Sequence, residues 1–299
     1  MEITPTNTQI LVCCHKECEL PNDPYLLPIH VGAALGTAKL DMQRDDEFQG
    51  ESCDNISAKN PSYCELTAVW WAWKHLRRLM PGLEYVGINH YRRYFDFGSV
   101  PVGKDMVVRP ESEVRSYRVD DAKLAQFLGK YEVIIPRVIH NPYSTFTDYC
   151  YWRIGDDLRT TMRVIHEMCP EYDDSVYEVI MRSNKLSPYS MGIMPWHVFD
   201  EYCAWLFPVL AEVEMRCDIS SYDAVQGRIY GYIAERLWNV WLHRHGTTVV
   251  QLPIVMYDSQ PDVSPLKSAI NVLRRDVGFC LARPSNATTR ERFEAIIGN

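Results

Sequence analysis

No G-x-x-x-x-G-K-[ST], G-x-S-x-G, H-E-x-x-H or G-x-G-x-x-G occurs anywhere in the chain. Each of these patterns builds one kind of site: a phosphate loop, an exposed serine nucleophile, a zinc pair or a dinucleotide turn. P-loop kinases, ordinary serine hydrolases, zincins and simple Rossmann dehydrogenases are therefore excluded as first readings. No apolar run approaches the ~20 residues that cross a bilayer. The start, "MEITPTN", lacks the basic end and apolar centre of a signal peptide, and a cytoplasmic protein is expected. Cysteine is plentiful, ten residues, yet no C-x-x-C pair and no zinc-type Cys/His spacing appears. A chain of this length needs no disulfide staples, so reduced thiols in the core are expected. Positive charge is in deficit: the net charge is -8. A nucleic-acid-coating protein would be basic, so any anionic ligand must be held by a local cluster.

What is present is a globular composition, 46% hydrophobic and 23% charged over 299 residues, enough for one large α/β domain or two small ones. The run "QILVCC" from Gln9 to Cys14, followed at once by His15, Lys16 and Glu17, predicts a central strand ending in a polar loop. Residues 20 to 61 are polar and irregular, a length of loop that is usually functional or disordered. "SYCELTAVWWAWKHLRRLM", Ser62 to Met80, predicts a helix with Leu66, Val69, Trp70, Trp73 and Leu76 on one side and Pro81-Gly82 closing it. The strand "YVGINHYRRYF", Tyr85 to Phe95, follows. After a polar excursion near 98 to 120 come a helix from Asp121, a buried strand from Tyr131, two helical stretches over 144 to 185 parted near Cys169-Pro170, and a strand from Tyr189 to Met194. A helix from Trp196 to Met215 carries Pro208, where a kink is expected; a third, from Asp223 to His243, precedes a strand from Thr247 to Val255. Short buried strands alternating with helices predict an open α/β sheet that binds ligands at the carboxyl ends of its strands.

The 85–95 strand ends in His90, Tyr91, Arg92 and Arg93. Alternation along a strand puts His90 and Arg92 on one face and Tyr91 and Arg93 on the other, and arginine's planar fork suits phosphate oxygens. With His15 and Lys16 past the end of the first strand, a shared cationic pocket for a diphosphate is expected; surface pairing with carboxylates such as Asp96 is the competing reading. Ser62 and Glu65 have capping-box spacing, which competes with a nucleoside or sugar contact from Tyr63, Glu65 and Thr67. Trp70, Trp71 and Trp73 read as core before they read as a carbohydrate platform. Asp223 stands where a helix N-cap belongs but would equally serve as a general base. Glu235 and Arg236 pair with each other or leave Arg236 for phosphate.

"DNIS" at Asp54, "NPSYCELTAVWWAWK" at Asn60, "GINHYRRYF" at Gly87, "FDEYCAWLF" at Phe199 and "RIYGYIAERL" at Arg228 together resemble the DUF4422 family of bacterial capsular and exopolysaccharide glycosyltransferases, which includes galactofuranosyltransferases. The resemblance runs from about Ile10 to Val255. It implies a single GT-A-like domain, an open mixed sheet flanked by helices with a helical C-terminal part: a donor-binding half over about 8–137, an acceptor and catalytic half over about 138–260, and a tail over 261–299. It further implies a UDP-sugar donor, galactofuranose among the candidates, and a glycan acceptor on a lipid carrier at the inner face of the cytoplasmic membrane. Arg244, His245 and exposed aromatics of the C-terminal half are candidates for peripheral membrane contact.

GT-A enzymes commonly hold a divalent metal with a D-x-D motif at the end of the strand that corresponds to 85–95. No D-x-D occurs in this chain. No cofactor or metal is therefore expected, the leaving diphosphate being neutralised by His15, Lys16, His90, Arg92, Arg93, Arg228 and Arg236. By analogy with the order of elements in inverting GT-A enzymes, Asp223 is the first choice as catalytic base and Glu235 the second. Asn60, Tyr63, Glu65, Thr67, Ser190 and Met191 are expected at the nucleoside and sugar. The family commonly shows Asn-Met-Phe where this chain has Ser190-Met191-Gly192, and losing an amide and a ring there is expected to widen the sugar pocket. A nucleotide-sugar hydrolase or phosphotransferase and a non-catalytic carbohydrate-binding protein remain as alternatives.

Overall fold

The computed structural model describes residues 7–36, 38–98, 105–258 and 265–298. The readings of residues 1–6, of 99–104 within the polar excursion and of 261–264 at the start of the tail lie outside the described residues. The chain divides into two compact units, one of residues 1–137, 191–203 and 248–263 and one of 138–190, 204–247 and 264–299.

The first unit is a ten-stranded mixed sheet flanked by helices, as the α/β pattern predicts. Its strands are β1 (Thr8–Cys14), β2 (Leu26–His30), β3 (Gln43–Arg44), β4 (Tyr85–His90), β5 (Arg93–Phe95), β6 (Met106–Arg109), β7 (Val133–Pro136), β8 (Gly192–Pro195), β9 (Val249–Leu252) and β10 (Ile254–Tyr257). The main order is β9-β7-β8-β4-β1-β2-β3, and β10 pairs with β5 and β6. Within that order only β8 runs against its neighbours, β4 and β7. Ile10, Leu11 and Val12 are fully buried, which is why β1 reads as an unbroken apolar run. A side chain at Gly87 would meet Ile10 and Ile193 at 2.9 and 3.0 Å, so the absence of a Cβ there lets three strands close up.

Four local expectations change. The segment 20–61 is not wholly irregular: "LLPIH" is the parallel strand β2. Pro28 disguised it, and is tolerated because β3 pairs β2 only at Ile29 and His30, leaving Pro28 paired on one side. The helix expected from Ser62 is interrupted: Asn60–Tyr63 forms one turn, Cys64 turns left-handed at φ 54°, and helix α1 (Leu66–Leu79) resumes with a π turn at Ala72–Leu76. Ser62 donates back to Lys59 O and caps nothing. Trp71, not Trp70 or Trp73, is the core tryptophan, with Ala68, Val69, Ala72 and Leu76 around it on the buried side. Finally, 85–95 is not one strand. It folds back at Tyr91-Arg92, pairing His90 with Arg93, so the alternation assumed for Arg92 and Arg93 does not hold. The 247–255 strand is likewise two, β9 and β10, parted by Pro253.

The second unit is helical, as its C-terminal sequence predicts: α3 (Thr145–Trp152), α4 (Gly155–Met168), a π-ended helix α5 (Asp173–Arg182), the Ala204–Arg216 part of α6 (Trp196–Arg216), α7 (Ile229–His245), α8 (Pro265–Ala282) and α9 (Asn286–Ile297); α2 (Asp121–Leu128) belongs to the first unit. A two-stranded ribbon pairs Ile139–His140 with Lys185–Leu186. Residues 144–185 break at Arg153-Ile154 as well as near Cys169-Pro170, and α7 starts at Ile229 rather than at Asp223, because residues 223–228 form a capped turn. All ten cysteines are free; Cys13, Cys14 and Cys203 are buried, six are part-exposed and Cys280 is exposed, so the core holds three of them rather than the full set. Among the described residues no helix is long and apolar enough to cross a membrane.

Candidate functional site

Two clusters of chemically active side chains emerge, one in each unit. In the first unit, β1 and β4 run parallel with Cys13 beside His90, so the residues that follow each strand emerge together. The Tyr91 amide closes the junction by donating to Cys13 O at 3.1 Å. Around the Tyr91 ring stand His15 (edge-on, 5.1 Å), Lys16 (5.4 Å) and Arg92 (5.7 Å). Arg92 is steadied by Asp258, Nη1 to Oδ2 2.9 Å, with both side chains part-exposed. His90 and Arg93 face each other across the hairpin. Thus His15, Lys16, Arg92 and Tyr91 form one basic, aromatic group at the carboxyl ends of two parallel strands. The Cys14 hydrogen bond, aided by Lys16, draws the Cys18 thiol below its usual range.

The end of β2 is organised by a residue that sequence reading missed. Asp45 is fully buried, and its carboxylate accepts from Gly32 N (2.8 Å), Ala33 N (3.1 Å) and the Ser57 hydroxyl. Gly32 has φ 71°, and a Cβ there would lie 2.8 Å from Asn60 Cβ, so the loop after β2 packs directly on Asn60. Asn60 Nδ2 in turn donates to Cys64 O at 2.8 Å, the same carbonyl that accepts from the Thr67 hydroxyl at 3.3 Å. Asn60 and Thr67 stitch the left-handed break, and Thr67 is fully buried, as is Tyr63 to 3%. Glu65 lies near the end of β1, where its charge adds to burial in raising the Cys13 thiol. Asn89, preceding His90, is fully buried, and its amide has no hydrogen-bond partner among the described residues; an Asn inside an apolar strand is the signal that marks it.

In the second unit the centre is a turn under strain. Tyr189 and Ser190, neither a glycine, both adopt left-handed backbone, φ 74° and 51°, which costs about 1–3 kcal/mol each and persists only where surroundings enforce it. Glu235 on α7 supplies the enforcement: its carboxylate accepts from Tyr189 N at 2.6 Å and from Arg236 Nη1 at 2.5 Å. One turn further, Asn239 bonds both the N–H and the C=O of Ser187, at 2.8 and 3.0 Å. Ser190 Oγ is buried, and Met191 is fully buried.

Arg236 is 10% exposed, faces Asp148 at 4.0 Å and covers the Tyr149 ring at 5.2 Å. Asp148 was not found from the sequence. Burial raises its carboxyl, Arg236 opposes the rise and Glu235 adds to it, the environment in which acid–base groups are tuned. Arg153 stacks on Tyr232 at 3.9 Å, and Arg228 approaches the same ring at 5.6 Å. Asp223 is exposed; its Oδ1 accepts from Val225 N and Gln226 N at 2.8 and 2.7 Å, so it organises the turn before α7. Gln226 bonds Trp152 O at 3.2 Å. Trp152 and its neighbour Tyr151 are 61% and 69% exposed, an aromatic pair beside the Asp223 turn that the periodicity of α3 did not reveal. His245 stacks on Trp241 at 4.0 Å and bonds the Tyr172 hydroxyl, while Arg244 lies over Tyr172. Among the described residues no group of three or more His, Cys, Asp or Glu is placed to hold a metal ion.

No curated protein matches the chain. Among solved structures its fold matches the apo structure of the bifunctional glycosyltransferase WbbM, with a TM-score of 0.74 and 24% identity. The match covers 87% of this chain and 47% of that one, so this chain spans about half the length of its structural relative; at this identity the likeness shows the fold. The model of the domain of unknown function DUF4422 matches residues 9–246. The chain belongs to the DUF4422 family.

Proposed function

We propose that the protein is a glycosyltransferase of GT-A type that moves a sugar, galactofuranose among the candidates, from a UDP-linked donor to a glycan acceptor with inversion. The observation that carries this reading is the group His15, Lys16, Tyr91 and Arg92 at the carboxyl ends of β1 and β4, on a fold shared with a glycosyltransferase. Open α/β sheets bind ligands at that edge. Guanidinium and ammonium groups fixed there stabilise a diphosphate as its bond to the sugar breaks. In this reading they replace a divalent ion, and His90 and Arg93 add to the positive field. Asn60, Glu65 and the loop held by Asp45 border the nucleoside, with Thr67 bracing Asn60 from the core and Tyr63 buried beneath.

Asp223 takes the proton from the acceptor hydroxyl, its free oxygen remaining exposed while the other holds the turn. Tyr151 and Trp152 offer flat apolar faces for the acceptor's sugar rings. In this reading Glu235 and Arg236 hold the 187–190 turn that shapes the sugar pocket, with Ser190 and Met191 at its edge. The protein works in the cytoplasm, on an acceptor carried by lipid at the inner face of the membrane.

The test is release of UDP from a panel of UDP-sugars, with and without acceptor glycan and with EDTA. Acceptor-dependent release that survives EDTA is expected. Release regardless of acceptor would instead identify a hydrolase, and no release with any donor would identify a binding protein. Loss of transfer in EDTA with rescue by manganese would overturn the metal-free mechanism. Asp223→Asn is expected to keep the fold and donor binding while cutting turnover on the order of a hundredfold or more, the scale of general base catalysis; near-normal turnover would reject Asp223.

A further inference from the structure

The second unit contains a cavity of about 360 Å³ between the start of α3, the end of α5, the end of α8 and the start of α9. Its walls include Arg182, Arg283 and Arg292 and, among the described residues, no acidic one, in a chain whose net charge is -8. Arg182 is held by Glu178, at 2.8 and 3.1 Å. Arg283 and Arg292 are exposed, and among the described residues neither has a carboxylate partner. Three guanidinium groups around one hollow repel one another, and among the described residues only Arg182 has its charge answered.

The rest of the wall is mixed: Tyr143, Met181, Phe279 and Pro284 give it an apolar and aromatic part, and Ser144, Thr147, Asn286 and Thr289 add polar groups. The volume falls within the ~300–1,000 Å³ of small-molecule sites and equals about a dozen waters at ~30 Å³ each. A bare inorganic anion would fill little of it. Arginine recognises phosphate by paired, charge-assisted hydrogen bonds, and the apolar wall calls for a hydrocarbon or aromatic body attached to that head.

We propose that this cavity is a binding site for an organic phosphate, a phosphate ester with an apolar body, distinct from the basic group at the ends of β1 and β4. Arg283 and Arg292 grip the phosphate, Arg182 supports them, and Phe279, Met181 and Tyr143 enclose the apolar part. The phosphate comes either from a soluble ester or from an anionic lipid headgroup. The inference does not depend on the glycosyltransferase reading.

The experiment is calorimetric titration of the intact protein with geranyl monophosphate and with inorganic phosphate, and sedimentation with phosphatidylglycerol vesicles. The proteins are wild type, Arg283→Glu/Arg292→Glu and Arg92→Ala, with melting curves to verify folding. Geranyl phosphate is expected to bind wild type and Arg92→Ala alike and the double variant at least tenfold more weakly, with affinity falling as salt rises. Vesicle binding that the double variant loses would assign the headgroup as the source; geranyl phosphate binding without vesicle binding would assign a soluble ester. Equal binding by the folded double variant, loss of binding in Arg92→Ala, inorganic phosphate binding as tightly as the ester, or no binding by wild type would each overturn the proposal.

Discussion

Replacing Glu235 by alanine removes the clamp on the Tyr189-Ser190 turn, and the structure sets the scale of the effect. Glu235 and Arg236 side chains are 19% and 10% exposed. Removing one partner of a buried ion pair costs about 3–5 kcal/mol because the other charge stays buried. Arg236 retains Tyr232 O at 3.1 Å, the Tyr149 ring and, at 4.0 Å, Asp148, which places the loss near the lower end, about 3 kcal/mol. At roughly 2–4 °C per kcal/mol for a chain of this order of length, the melting temperature of Glu235→Ala should fall by roughly 6–12 °C. Glu235→Gln keeps an oxygen for Tyr189 N but not the charge, and should lose about half as much, a neutral hydrogen bond being roughly half as strong as a charge-assisted one. Calorimetric melting of the three proteins, with turnover measured on the same samples, is the assay. Stability and turnover should fall together in Glu235→Ala, and Glu235→Gln should keep most of both, because this carboxylate holds a turn. An unchanged melting temperature in Glu235→Ala would refute the clamp; a stable Glu235→Gln without turnover would move the base from Asp223 to Glu235.

Burial raises the Asp148 carboxyl, so the folded state holds its proton more tightly than the unfolded state, and stability falls as pH rises from the unfolded value of ~3.9 through the folded one. Asp148→Asn escapes that penalty and should be more stable than wild type in urea at about pH 7.5, with a smaller advantage at about pH 4.5; a wild type that is the more stable at neutral pH would contradict this. Arg92→Ala breaks a part-exposed pair with Asp258 worth at most about 1 kcal/mol, so melting should barely move while affinity for UDP drops about 10- to 100-fold, the worth of a hydrogen bond to a charged group. Trp152→Ala alters a 61% exposed side chain and should leave stability within about 0.5 kcal/mol while raising the acceptor KM several-fold; an unchanged KM would remove Trp152 from the acceptor site.

Much of this protein was written along the chain. Apolar runs at 9–14, 85–90 and 133–136 set the central strands, because strands buried on both faces need little beyond continuous hydrophobicity. The 3.6-residue period set the long helices expected over 196–215 and 223–243, although the second begins only at Ile229. That His15 and Lys16 stand near Arg92 was also expected from sequence, since both follow the ends of apolar strands; the parallel pairing that brings those ends together, and Tyr91's place between them, came from the sheet. Tertiary structure decided the rest. Pro28 hid β2 because its tolerance depends on which side of the strand is paired, a fact only the sheet contains. Local spacing put Ser62 at a cap and Arg92 and Arg93 on one strand, but the left-handed Cys64 and the hairpin at Tyr91-Arg92 answer to long-range partners. Glu235 became the clamp of a strained turn 46 residues away, and Asp148 acquired its raised carboxyl from burial beside Arg236. Local periodicity fixes which face of an element is apolar; the charge and hydrogen-bond environment of a polar side chain depends on segments that meet only after folding.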